Sequence, residues 1–209
     1  MPRYELAPTR TNLLRLKGDL AFALEGYELL EQKREILMSE LKRVTDRAVE
    51  AQRTVDAELE KAYRALREAK TAVGNIGIES AACAINMTTE LHVHERHVMG
   101  VAIPTVEMAI TESPPHYGPT LTSAWTDEAA NRFRSALEAL TVLAETRIAV
   151  VRLAREIQKT IRRVNALEKI FIPDYRETKK YVEDALEEAD RGALSLLKLV
   201  KEKLENVQS

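Results

Sequence analysis

Three histidines, His92, His94 and His97, come nearest to a reactive constellation in this chain. An HxHxxH run suggests zinc, because imidazole nitrogen is a common zinc ligand. On a strand, however, His92 and His94 share one face while His97 points to the other. No cysteine pair accompanies them and Cys83 is distant, so exposed hairpin histidines are the better reading. Cys83, among Ala81, Ala82 and Ala84, reads as a small packed residue, not a nucleophile. Asp and Glu are plentiful but lie on solvated helix faces, where no cleft would perturb an acid–base pair. There is no GxxxxGK[ST] phosphate loop, no GxGxxG and no HExxH. Trp125, the only tryptophan, reads as the anchor of a helix start. These residues point to no catalytic group, no cofactor and no metal.

The surroundings agree with a chain that works by contact. Its 209 residues carry 31 Lys+Arg against 33 Asp+Glu, a formal net charge of -2. That balance argues against a general nucleic-acid binder, which carries a strongly basic face. No apolar run approaches the ~18 residues of a membrane span, and the opening MPRYELAPTR lacks the apolar core of a secretory signal. A single cysteine fits a reducing cytoplasm. Seven Gly, seven Pro and 5% aromatics make a long-helix composition.

Punctuation divides the chain. Pro104, Pro114, Pro115 and Pro119, with Gly74, Gly77, Gly100, Gly118 and all four histidines, fall between residues 74 and 123. Charge thins there to Glu79, Glu90, Glu95, Arg96, Glu107 and Glu112. No proline occurs from 9 to 103 or from 120 to 172, so long helices are permitted on both sides. The expected fold is mainly α: an antiparallel two-helix coiled coil with a small inserted β-hairpin region. Residues 1–73 form the N-terminal coiled-coil helix, capped by Thr9 or Thr11. Residues 74–122 form the inserted hairpin and loop region, and 123–209 the C-terminal coiled-coil helix, starting near Thr126. Pro173 should kink or briefly break that helix at Ile172-Pro173. Leu91, Val93 and Glu95 alternate with His92, His94 and Arg96, then Val101, Ile103, Val106 and Met108 follow. The hairpin turn is expected at Met99-Gly100, and ESPPHYGPT (112–120) is a loop by composition.

The first seam steps by three and four through Leu13, Leu16, Leu20, Ala23, Tyr27, Leu30, Leu37, Leu41, Val44, Ala48, Ala51 and Val55. A four-residue step then shifts it to Leu59, Ala62, Leu66, Ala69 and Val73, a heptad with one stutter. Some 60 helical residues would reach about 90 Å. The second seam reads Phe133, Leu137, Leu140, Ala144, Val151, Ala154, Ile157, Ile161, Val164 and Phe171. After Pro173 it continues through Tyr175, Val182, Leu186, Ala189, Ala193, Leu197, Val200 and Leu204. Each narrow stripe must be buried against a partner, and the other helix is the nearest one. Antiparallel pairing closed by the hairpin places residue 13 opposite about 183 and leaves the last ~25 residues projecting as a lone helix of nearly 40 Å.

A polar gap at Glu31-Gln32-Lys33-Arg34 then faces Arg162-Arg163-Val164-Asn165-Ala166-Leu167-Glu168. Glu31 would meet Arg162 or Arg163, and Lys33 or Arg34 would meet Glu168, fixing register more than stability. The alternative is that these charges are simply solvated. From Arg147 to Lys169 the chain is lopsided. Arg147, Arg152, Arg155, Lys159, Arg162, Arg163 and Lys169 stand against Glu156 and Glu168. That band is either a solvated flank or a surface for acidic loops of a partner.

Particular residues resemble a known family. Pro8-Thr9-Arg10, Asn12-Leu13-Leu14, Leu16-Lys17, Gly26, Leu29-Leu30 and Lys33-Arg34 resemble the N-terminal signature of the D subunit of vacuolar/archaeal-type rotary ATPases. Thr160-Ile161-Arg162-Arg163-Val164-Asn165-Ala166-Leu167-Glu168, then Ile172-Pro173 and Thr178, resemble its second half, and Met99-Gly100-Val101 with Pro104 its central hairpin. The resemblance implies a non-catalytic central-stalk rotor, transmitting torque between a membrane ion-translocating ring and a hexamer of catalytic A and B subunits. It implies further partners in the small central-stalk F subunit and the socket that the C/d subunit forms on the ring, and a cytoplasmic location peripheral to the membrane. Arg10, Glu31, Lys33, Arg34, Arg155, Lys159, Arg162, Arg163, Asn165, Glu168 and Pro173 are the candidate partner-contact or register residues. A free-standing coiled-coil tether or adaptor is the alternative from another functional class.

Overall fold

The computed structural model describes residues 6–84, 88–111, 118 and 122–208. The first helix, α1, spans Arg10–Ala84. A two-stranded antiparallel sheet follows, β1 at Thr88–Val98 and β2 at Val101–Thr111. Helix α2 spans Ala124–Ala166, a π-helical turn Leu167–Phe171, and helix α3 Ile172–Gln208. The loop expected at 112–120 lies outside the described residues apart from Gly118, as does the side chain of Leu204. The chain divides into two compact units, residues 36–157 and residues 1–35 with 158–209.

Local chemistry sets the helix ends. Of the two expected caps, Thr9 is the one used. Its Oγ1 accepts from the Asn12 N–H at 3.2 Å, and its carbonyl accepts the first helical bond, from Leu13 N–H, at 3.0 Å. At the start of α2, Thr126 N–H donates to the Ser123 carbonyl at 2.8 Å and Ser123 N–H to Thr126 Oγ1 at 3.4 Å. Both ends thus satisfy donors that a helix start leaves open. Trp125 sits in the first turn of α2 but is half exposed.

Within α1 the first helical run ends at Val73, where the sequence places it, and a second run follows a kink. Gly74 has φ 81 and ψ 166, outside the helical region, and the chain then resumes helical geometry to Ala84. Only glycine occupies that backbone region without strain. A Cβ added there would meet nothing within 4 Å, so the penalty of a side chain is in the backbone alone. Gly74→Ala is expected to destabilise by about 1–3 kcal/mol, read as a lower urea midpoint with unchanged slope. Past the kink, Ala81 is buried while Cys83 is exposed, so Cys83 is not the packed residue expected. It lies on the outward side of a segment whose buried side is set by Ala81.

The first seam is buried or half-buried at every position from Leu13 to Val73; Leu37, Ala62 and Ala69 are fully enclosed. The second seam requires correction. Leu140, Ala144, Val151 and Phe171 are exposed, and the enclosed positions include Ala136, Leu143, Thr146, Leu153, Ile157, Thr160 and Val164. Threonines occupy the stripe, which a reading by apolar type passes over. Their burial is tolerated because a threonine hydroxyl can bond back along its own helix. Thr146 Oγ1 donates to the Val142 carbonyl at 3.0 Å and Thr178 Oγ1 to the Asp174 carbonyl at 2.7 Å.

The expected break at Pro173 is a change of pitch. In the π turn the Ile172 N–H reaches the Leu167 carbonyl, five residues back. Proline cannot donate and its ring crowds the preceding turn. Widening that turn accommodates it while the helix continues. The extra residue also shifts the seam, so Ile172 is buried and Phe171 is half exposed.

Candidate functional site

Within residues 36–157 the hairpin folds back along α2. Its turn is Met99-Gly100, with φ 49 and 81, the double left-handed geometry of a two-residue hairpin turn. Beyond it, β2 runs antiparallel to α2. Met108 Sδ accepts from Thr141 Oγ1 at 3.4 Å and Val106 N–H donates to Glu145 Oε2 at 3.1 Å. Arg152 Nη1 reaches the Ala102 carbonyl at 2.8 Å and Glu95 Oε1 at 3.4 Å. The sequence reading set the hairpin at an end of the coil; it lies on the flank instead. Val101, Ile103 and Pro104 form an apolar patch that is buried there, which an end position would leave wet.

Strand β1 is fastened to α1 by one carboxylate. Glu40 pairs with Arg43 one turn on at 2.6 Å and with Arg96 at 3.5 Å. The Arg43 hydrogen bond, with the Arg43, Arg96 and Arg47 charges, holds the Glu40 carboxyl below its ordinary value. A depressed carboxyl stabilises above the unfolded pKa and loses that contribution as pH falls through the folded value. Acidification below about 4.5, the unperturbed value, is therefore expected to weaken the Arg96 link. Glu40→Gln should flatten this part of the stability–pH curve.

His92, His94 and His97 lie on β1 and are exposed, His92 with Nε2 3.9 Å from Glu90. Among the described residues no group of His, Cys, Asp and Glu has metal-binding geometry, and no helix is long and apolar enough to cross a membrane. In the same unit Tyr63 on α1 meets Phe133 on α2 edge to face, with ring centroids 5.5 Å apart.

In the other unit, Arg10 bonds Asp190 at 3.0 Å and Lys17 bonds Glu183 at 3.0 Å, so α1 and α3 run antiparallel. Leu13 lines a groove with Glu183 and Leu186, close to the register expected. Both ion pairs are exposed, where such pairs contribute ~0–1 kcal/mol; their content is alignment. Glu31 takes its ion pair from Arg34 on its own helix at 2.8 Å, the i,i+3 neighbour. Glu31 and Glu168 both lie beside the phenol of Tyr27. Partial burial, then these two carboxylates, push that phenol above its ordinary value. The two polar stretches thus converge on Tyr27. Lys33 is half-buried. Arg162 is exposed and its Nε donates to the Gln158 carbonyl at 3.4 Å. Lys159, Arg163, Asn165 and Pro173 are exposed along α2 and α3 in this unit, and Arg155 is exposed on the part of α2 within residues 36–157. Sequence reasoning did not single out Asp190, Glu183, Glu40, Glu145 or Arg152 as contacts. Each is one carboxylate or guanidinium among many, selected by position relative to a distant segment.

The comparisons cover the whole arrangement. The family described as the ATP synthase D subunit matches residues 12–202. The chain belongs to that family. It is 40% identical over 199 residues to the V-type ATP synthase D subunit of Thermotoga neapolitana, covering 95% of this chain and 98% of the relative. It is 36% identical over 208 residues to the A-type ATP synthase D subunit of Pyrococcus furiosus, covering 98% and 97%. The A-type D subunit of Methanopyrus kandleri is 38% identical over 203 residues, covering 96% and 88%. As a D subunit, the chain is one component of a multi-subunit complex, in keeping with its long helices and hairpin.

Proposed function

We propose that the chain is the non-catalytic central-stalk rotor of a V/A-type ATP synthase, transmitting torque between the membrane ring and the catalytic A/B hexamer. The observation that carries this reading is the end of α3. Residues 187–203 are all exposed, among them Leu194, Leu196, Leu197, Leu199 and Val200, each more than half exposed. Such a helix invites cover by other subunits. In the proposal the terminal end enters the hexamer and the basic residues Arg155, Lys159, Arg162 and Arg163 face acidic loops there. The hairpin region meets the small F subunit, and the socket of the C/d subunit seats the stalk at the cytoplasmic side of the membrane. Nucleotide chemistry belongs to the hexamer, and the stalk biases its states by presenting different surfaces at different angles.

Arg162→Glu with Arg163→Glu, in the assembled complex, tests this. Ion pumping per ATP hydrolysed is expected to fall several-fold, because charge-assisted contacts of ~1.5–3 kcal/mol each become repulsive. Wild-type coupling in that complex would show the basic band to be a solvated flank.

A further inference from the structure

The two edges of the hairpin are treated differently. On β2 the outer edge is closed. Val106 N–H is taken by Glu145, the Ala102 carbonyl by Arg152, and the residue between them is Pro104, which has no N–H to offer. Because the Val106 N–H goes outward, its pair with Val93 is not hydrogen-bonded within the ladder. By alternation the same holds for Leu91 opposite Met108, Glu95 opposite Pro104 and His97 opposite Ala102. The N–H and C=O groups of Leu91, Val93, Glu95 and His97 therefore point away from β2, along the open edge of β1.

That edge is lightly protected: its charges are Glu90, Glu95 and Arg96, of which Glu95 is engaged by Arg152 and Arg96 by Glu40. β1 is 11 residues long, without proline, lysine or a bulge. Among the described residues the sheet has only two strands, and residues 90–97 are all exposed. Two of the four residues with outward backbone groups carry exposed apolar side chains, Leu91 at 58% and Val93 at 61% exposure. Period-two side chains put these two on one face. Hydrogen-bonding groups and apolar side chains are thus offered together at alternate positions, the pattern read in strand addition.

The geometry points to β1 as the docking edge for a β-strand of another protein of the complex, extending this sheet by main-chain pairing at Leu91, Val93, Glu95 and His97. The incoming strand carries apolar side chains opposite Leu91 and Val93. A second copy of this chain fits less well. Antiparallel self-pairing centred on His94 sets Val93 against Glu95, and centred on Val93 it sets Leu91 against Glu95; centred on His92 it brings Leu91 against Val93 but sets Glu95 against Thr89. Glu95 is already engaged by Arg152. This inference rests on the reading of the chain as a stalk component and adds the mode by which its hairpin is gripped.

Amide hydrogen exchange of the full chain, free and in the purified complex, tests it. On assembly the Leu91, Val93, Glu95 and His97 amides should slow by about tenfold or more, while the ladder amides of His92, His94 and Arg96 are slow in both states. Val93→Pro, which places on β1 the device Pro104 supplies on β2, should reduce recovery of the neighbouring component about tenfold or more, with the ladder amides still protected. Val93→Asp should act likewise without altering the backbone. Unchanged exchange of the four outward amides in a complex containing this chain overturns the inference and leaves the stalk reading intact. Protection that grows with concentration of the chain alone overturns it in favour of self-pairing. Failure of the chain to co-purify with any other component overturns both.

Discussion

Removing residues 191–209 is expected to leave the isolated chain as stable as before and to disable the assembled complex. Residues 191–203 are all exposed, and exposed positions away from special features change stability by only about ±0.5 kcal/mol. The Arg10–Asp190 ion pair stays in the shortened chain. A helix without tertiary packing is marginal in water, so its loss subtracts little from global unfolding. In the complex the balance reverses. Burial of a single leucine or valine side chain against a partner is worth ~1.5–3 kcal/mol, about tenfold or more in affinity, and five such side chains stand exposed here. The measurements are the thermal midpoint of the isolated chain and ATP-driven ion transport by the complex. A large fall in the midpoint would mean that this helix packs on its own chain.

Leu37→Ala should have the opposite signature. Leu37 is 0% exposed, at the centre of the first seam. Truncation removes methylene groups and leaves a cavity that long packed helices cannot easily close, at about 2–5 kcal/mol. Denaturation by urea, followed by helical circular dichroism, should show a clear drop in midpoint. Leu197→Ala, at a position 65% exposed, should move it very little. Equal effects at both positions would contradict the burial described.

The fold class was legible because helices and hairpin leave short-range signatures. Proline-free stretches, three-four spacing, alternation at 91–96 and the Met99-Gly100 turn are all readable within a few residues of chain. Every position of the first seam proved buried or half-buried, with only Ala65 missed among the enclosed residues up to Val73, because those residues are leucine, valine and alanine. The second seam did not emerge as read: buried threonines interrupt its apolar spacing, and the stripe followed through Leu140, Ala144 and Val151 lies beside the enclosed Leu143, Ala149 and Leu153. The π turn was hidden for a related reason. Proline announces a disturbance, but whether the chain breaks, bends or widens depends on packing around Ile172. The docking of the hairpin was illegible altogether. Glu145 and Arg152 are single charges on a charged helix, and only the folded chain sets them against Val106 and Ala102.

The widened turn at Leu167–Phe171 also acts as a phase setter. In an α-helix each residue advances the side chains by about 100°, so one supernumerary residue decides which way every later side chain of α3 looks. Excising one residue there would let ordinary pitch run through and swing every later side chain round the axis by that angle, turning the buried Thr178 and Val182 and the acidic partners of Arg10 and Lys17 away from α1.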